Sequence, residues 1–145
     1  MGEIELAEPL WTVPAERMKG RRGSRRELVP LSRQAVGIFQ NQWGLTGPKG
    51  YIFKSLRTGS GHFSNNTVNM ALKRMGFDGR ICGHGFRALD MTNVQEQLGI
   101  ELRIDDRQLA HIEKNKAMAA YNPAEYWPQR MAMMQHWADL LDQVG

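Results

Sequence analysis

Four side chains of this 145-residue chain are of types that do chemistry together: His84, Arg87, His111 and Tyr121. An arginine presents a planar fork of donors that matches an anionic group with two oxygens. Histidines donate hydrogen bonds and move protons near neutral pH. A tyrosine becomes a nucleophile once its phenol, with an ordinary pKa of about 10, is helped to lose its proton. His84 and Arg87 lie in the segment GHGFR at helical spacing i, i+3, so both can reach one spot at a helix entrance. His111 closes the segment QLAH, and Tyr121 follows in AAYNPAEY. Taken singly, each has a commoner role: a capping histidine, a surface arginine, a partly buried histidine, a packing tyrosine. Tyr51 and Tyr126 compete with Tyr121 for any nucleophilic role.

The charge of the chain suits an anionic partner. The net charge is +4 at pH 7, and it is concentrated in RMKGRRGSRR, which holds Arg17, Lys19, Arg21, Arg22, Arg25 and Arg26. Such a cluster is the usual footprint of phosphate contact, although a solvated basic loop reads the same way. Hydrophobic residues make up 41%, enough to expect a folded domain and to exclude wholesale disorder. No apolar run approaches the about 20 residues that cross a bilayer, and no secretory leader is visible. One cysteine, Cys82, cannot form an internal disulfide, which fits a reducing, cytoplasmic compartment. Cys82 is read as a small buried residue. A metal site built from Cys82, His84 and His111 is disfavoured, because structural zinc usually recruits four ligands at recognisable spacing.

The elements that must position these side chains can be placed. Residues 1–10 read as a lead-in or an incoming strand. WTVPAERMK (11–19) and ELVPL (27–31) are extended segments joined by the basic turn, a β-hairpin whose prolines suggest edge strands. Ser32 caps a helix to about Trp43, ended by Gly44. Residues 44–63 form a long loop around Tyr51, Ile52 and Phe53, with His62 near its end and without an assigned role. Ser64 and Asn65 cap a helix with Val68, Leu72 and Met75 at helical spacing, closed by Gly76. A glycine-rich connector leads into a helix over 86–97, closed by Gly99. Short helices are expected over 104–110 and 115–121, and Asn122-Pro123 interrupts the chain. From Pro128 a last helix runs to about Asp142, with Met131, Met134, Trp137 and Leu141 on one face and His136 beside it, also without a role. The sum is an α+β chain, mostly helical, with a small N-terminal β-hairpin packed on helices.

The order GHGFRAL, RQLAH and AAYNPAEY resembles the catalytic domain of the tyrosine recombinases, in particular prophage integrases that insert at tRNA genes. WTVPAERMK, SNNTVNMALKRMG and the closing MMQHWADLLD are also similar to segments of that family, so the likeness runs from Trp11 onward. The resemblance implies a helical DNA breaking–rejoining domain and a site-specific DNA integrase. Tyr121 would attack a DNA phosphate to give a 3′-phosphotyrosine. Arg87, His84 and His111 would stabilise the reacting phosphate, and Lys19 on the hairpin would protonate the leaving oxygen. Arg17, Arg21, Arg22, Arg25 and Arg26 would meet the DNA backbone. No metal or other cofactor is implied. The partners would be double-stranded DNA at attachment sites and further protomers in a tetramer, with the last helix packed on its own chain or exchanged with a neighbour. The setting would be the bacterial cytoplasm, at the nucleoid.

The family set also includes an arginine and an accompanying acid on an upstream helix, and N-terminal DNA-binding domains. None of these has a counterpart here, so residues 1–145 are expected to be a truncated catalytic domain, inactive by itself. Asp90, one turn after Arg87, departs from the small or hydroxylated residue usual in the family and is expected to face solvent. Two other readings use the same residues. A type IB topoisomerase would share the chemistry, but the integrase-like segments and the long last helix weigh against it. A non-catalytic helix-turn-helix module would need a connector much shorter than the one between the helices near 65–76 and 86–97.

Overall fold

The computed structural model describes residues 3–18, 26–47, 50–55, 59, 61–110 and 125–144. Lys19, Arg21, Arg22, Arg25, His111 and Tyr121 lie outside these, as does the helix expected over 115–121. The hairpin forms as expected and gains a third strand. Strand β1 (Ile4–Glu5) pairs antiparallel with β2 (Leu10–Val13), and β2 pairs antiparallel with β3 (Glu27–Pro30), in register Leu10 to Pro30 and Val13 to Glu27. Because β1 covers its other side, β2 is central and not an edge strand. It tolerates this position because it contains no proline: Pro9 and Pro14 flank it. Pro30 sits at the end of β3, and a single 3-10 turn over Ala15–Arg17 follows β2.

Helix α1 (Arg33–Thr46) starts as its sequence dictates: Ser32 Oγ accepts the Ala35 amide at 3.2 Å. It runs past Gly44. An interior glycine weakens a helix by about 1 kcal/mol but does not end it unless the backbone turns left-handed. That turn comes at Gly47, φ +77°, whose amide closes on the Trp43 carbonyl at 2.8 Å. The expected loop therefore shortens. Within it, the Phe63 amide donates to the Phe53 carbonyl at 3.2 Å beside a bridge between Lys54 and His62. His62 packs against the Tyr51 ring, centroids 4.7 Å apart.

Helix α2 (Thr67–Leu72) continues into a wider turn over Lys73–Phe77, kinked at Gly76 (φ +87°). Asn66, not Ser64 or Asn65, stands at its N-cap, without a side-chain capping bond. The glycine-rich connector is tied back by the Gly83 amide to Asn69 Oδ1 at 2.8 Å. Cys82 in this connector is exposed, contrary to expectation: the connector runs over the surface with few neighbours to cover it.

Helix α3 (Gly85–Leu98) ends at Gly99 in the left-handed conformation, and α4 (Leu102–Gln108) follows after a short turn. Helix α5 (Trp127–Val144) closes the chain, with Pro128 in its first turn. The buried core joins α3, α4 and α5 through Val94, Ile104 and Met133, with Leu98, Ile100, Tyr126, Met134 and Trp137 packed around them. The expected stripe on α5 is only half right. Met134 and Trp137 pack inward, whereas Met131 and Leu141 are about half exposed. The buried face is Arg130, Met133, Met134 and Trp137, the i, i+3, i+4, i+7 set one register away. A second side of α5 meets α1 through polar contacts: Gln34 Nε2 donates to Asp139 and Asp142, each at 2.8 Å.

Candidate functional site

Among the described residues, the candidates His84 and Arg87 stand where α3 begins, beside the end of α4. His84 occupies the N-cap of α3, but its side chain makes no capping bond there, and it is exposed. Arg87 stands one turn later, half-buried, its amide bonded to the His84 carbonyl at 3.2 Å. Its guanidinium reaches across to the neighbouring helix, where Nη2 donates to the Leu109 carbonyl at 2.5 Å. A guanidinium has five N–H donors, so this bond anchors Arg87 while leaving capacity for an anion. Leu109 and Ala110 form the turn that ends α4, and Ala110 is left-handed at φ +52°. The structure therefore brings the GHGFR and RQLA segments together. His84 and Arg87 share the start of α3, as their spacing required.

Asp90 corrects one expectation. It does not face open solvent: it is half-buried, and its Oδ1 has no hydrogen-bond partner among the described residues. Burial, reinforced by the nearby carboxylate of Asp105, raises its carboxyl from 3.8 to about 6, against the opposing pull of Arg87. A carboxyl near 6 is mostly ionised at pH 7 and becomes neutral as pH falls through 6, so its pull on Arg87 weakens only in mild acid.

Of the basic residues proposed for DNA contact, Arg17 and Arg26 are described, and both are exposed. Arg17 Nη1 lies 2.8 Å from Glu3 Oε2, an exposed pair of the kind worth well under about 1 kcal/mol and easily exchanged for a phosphate.

Three charged residues that the sequence reading did not single out form the most buried polar cluster among the described residues. Glu27 opens β3 and is 2% exposed. Both of its oxygens accept from Arg107 Nη1 of α4, at 2.8 and 2.9 Å, and Oε1 also accepts from Arg130 Nη2 of α5 at 3.1 Å. Arg130 is fully buried. It donates further to the Leu28 carbonyl and, through Nε, to Gln108 Oε1 at 2.9 Å, with its guanidinium 5.7 Å from the Trp127 ring. One signal pointed this way: an arginine at the i position of an otherwise apolar i, i+3, i+4, i+7 set on α5.

Comparison with known proteins bears on the site as a whole. The chain is 38% identical over 139 residues to the prophage integrase IntA of Escherichia coli (strain K12), covering 96% of this chain and 33% of that protein. It is 39% identical to the integrase of Enterobacteria phage P4, covering 97% and 35%, and 31% identical to the integrase of Shigella phage Sf6, covering 97% and 36%. Over nearly all of its length the chain is thus similar to phage and prophage integrases, as the order of its segments led us to expect. It spans about a third of the length of these relatives. No protein-family model matches the chain, and no solved structure matches it significantly. Among the described residues, no helix is long and apolar enough to cross a membrane.

Proposed function

We propose that this chain is the nucleophile-bearing part of a DNA integrase of the tyrosine recombinase type, acting on duplex DNA at attachment sites in the bacterial cytoplasm. The observation that carries this reading is the hydrogen bond from Arg87 to the Leu109 carbonyl. It unites two of the three segments that bear the integrase-like residues, two positions before His111.

The Tyr121 phenol gives its proton to a histidine of the set, its Oη attacks a DNA phosphorus, the bond to the 5′ oxygen breaks, and a 3′-phosphotyrosyl link forms. Lys19 supplies the proton that the leaving 5′ oxygen takes. Arg87 neutralises the non-bridging oxygens with paired donors, and His84 and His111 donate one bond each or pass a proton. Each preorganised donor contributes on the order of 3 kcal/mol to the transition state. The 5′ hydroxyl of a partner strand then attacks the same phosphorus and releases the tyrosine. One phosphoester is exchanged for another at each step, so these steps consume no nucleotide. The basic run at 17–26 meets the DNA backbone, in sequence-independent contacts that weaken with salt. Four protomers act on paired sites, and Met131, Leu141 and Val144, the exposed apolar residues of α5, face the neighbouring copy.

The test places this chain in the phage P4 integrase in exchange for its aligned third. A nicked suicide duplex bearing that integrase's site traps covalent adducts. The unaltered graft is expected to form an adduct whose DNA-linked peptide contains Tyr121. Tyr121→Phe should abolish it, and Tyr126→Phe should leave it. An adduct that survives Tyr121→Phe rules the assignment out.

A further inference from the structure

The buried cluster of Glu27, Arg107 and Arg130 has a bearing on the site that its position in the fold makes specific. Arg87 is held by a carbonyl at the end of α4, so its aim depends on where α4 sits. Few apolar side chains fix that helix. Seven residues long, it contributes Ile104 to the core. What else anchors it is polar: Arg107 on the Glu27 carboxylate, and Gln108 on the Arg130 guanidinium that itself bonds Glu27. These two residues immediately precede Leu109. One carboxylate on β3 is therefore bonded to both α4 and α5, and Arg130 adds a bond to the Leu28 carbonyl; the Leu109 carbonyl joins this cluster to Arg87. The same two helices flank the segment that holds His111 and Tyr121, and β3 follows directly on the basic run.

We infer that Glu27 is a positioning residue for the DNA-cleaving site, acting through Arg107 and Arg130 on α4 and thereby on the Arg87 guanidinium. The inference rests on the recombinase reading for its consequence, but not for its geometry. Burying one carboxylate between two guanidiniums is a poor way to gain stability alone, because desolvation offsets most of the attraction, and an apolar trio of similar volume often does as well. What the charged cluster supplies is direction: short, oriented bonds that allow one arrangement of three elements.

The experiment has two readouts. In the 145-residue chain labelled with 15N-arginine, the side-chain signals of Arg87, Arg107 and Arg130 are followed at a temperature where every variant is folded by circular dichroism. Glu27→Gln keeps shape and removes charge. It is expected to displace the Arg107 and Arg130 signals and, without touching it, the Arg87 signal. A purely structural Glu27 would lower the melting temperature and leave Arg87 unmoved in the folded variant, which would overturn the inference. Should Glu27→Gln fail to fold, Arg107→Met removes the direct bond from Glu27 to α4, together with the 3.9 Å contact to Glu125, and must move Arg87 in the same way. In the integrase graft, Glu27→Gln is expected to slow adduct formation 10- to 100-fold with DNA affinity within twofold of the unaltered graft, and Glu27→Asp to restore part of the rate. An unchanged rate overturns the inference. A graft with Glu27 intact that forms no Tyr121 adduct counts against the recombinase reading alone, since the Arg87 signal is read without DNA.

Discussion

Two regions of this molecule pack aromatic and charged residues in opposite ways. Where β3, α4 and α5 meet, the chain buries Arg130, Asp105 and Glu27 beside Val94 and Met133, and Glu27 is held by oriented bonds from Arg107 and Arg130. Where β2 faces α1 and the loop over 50–63, aromatic side chains line an open cleft of about 1140 Å³, Trp11, Phe39, Trp43 and Phe53 among them. Phe53 is 41% exposed there and Phe63 46%, although their rings pack at 6.0 Å. Aromatic side chains thus line the open region, while charged ones share the closed region with the apolar core.

Substitutions can break or sharpen this contrast. The largest effect is expected at the closed junction: Arg130→Ala leaves the Glu27 carboxylate with one guanidinium fewer and opens a void, and should lower unfolding free energy by about 3–5 kcal/mol in urea titrations. Met133→Ala, beside it and fully buried, should lower it by about 2–4 kcal/mol through lost transfer and a cavity. In the cleft, Phe53→Ala should change stability by only about 1 kcal/mol, because its ring is already partly in water. A Phe53 loss as large as that at Met133 would show the cleft to be closed in solution.

The smallest effect concerns Asp90 and depends on pH. Its folded carboxyl titrates near 6, above the ordinary 3.8, so the protonated form is the one the fold prefers. That contribution is fully present below about pH 4 and is lost as pH rises through 6. Asp90→Asn mimics the protonated state. It should match the parent protein at pH 4 and exceed it by about 1 kcal/mol at pH 7, once screening of a half-exposed group is allowed for. Equal stability at both pH values would remove Asp90 from the buried side of the contrast.

Much of the local architecture is legible without coordinates. The pairing of WTV with ELVP, the cap at Ser32, the stop at Gly99 and the start of α5 near Pro128 each depend on a few neighbouring residues. So does the sharing of one helix entrance by His84 and Arg87. Less legible were features that depend on what lies opposite. Gly44 has an equally good backbone as a stop or as an interior residue, and the chain uses Gly47 instead. The apolar stripe on α5 had two registers, and contact with β3 and α4 chose the one containing Arg130. Cys82 and Asp90 exchanged expected surroundings for the same reason: neither residue type determines its own exposure.

Residue types and their order, on their own, determined the likeness to integrases, the candidate chemistry of His84, Arg87, His111 and Tyr121, and the start or end of most helices. Those properties are carried by covalent spacing and by preferences that act within a turn or two. Tertiary structure decided that Arg87 leans on the Leu109 carbonyl and that Glu27 joins Arg107 and Arg130 across 80 and 103 positions of chain. An arginine is compatible with solvent, phosphate or a buried carboxylate, and only the packing of separate elements removes the water and leaves one of them as its partner.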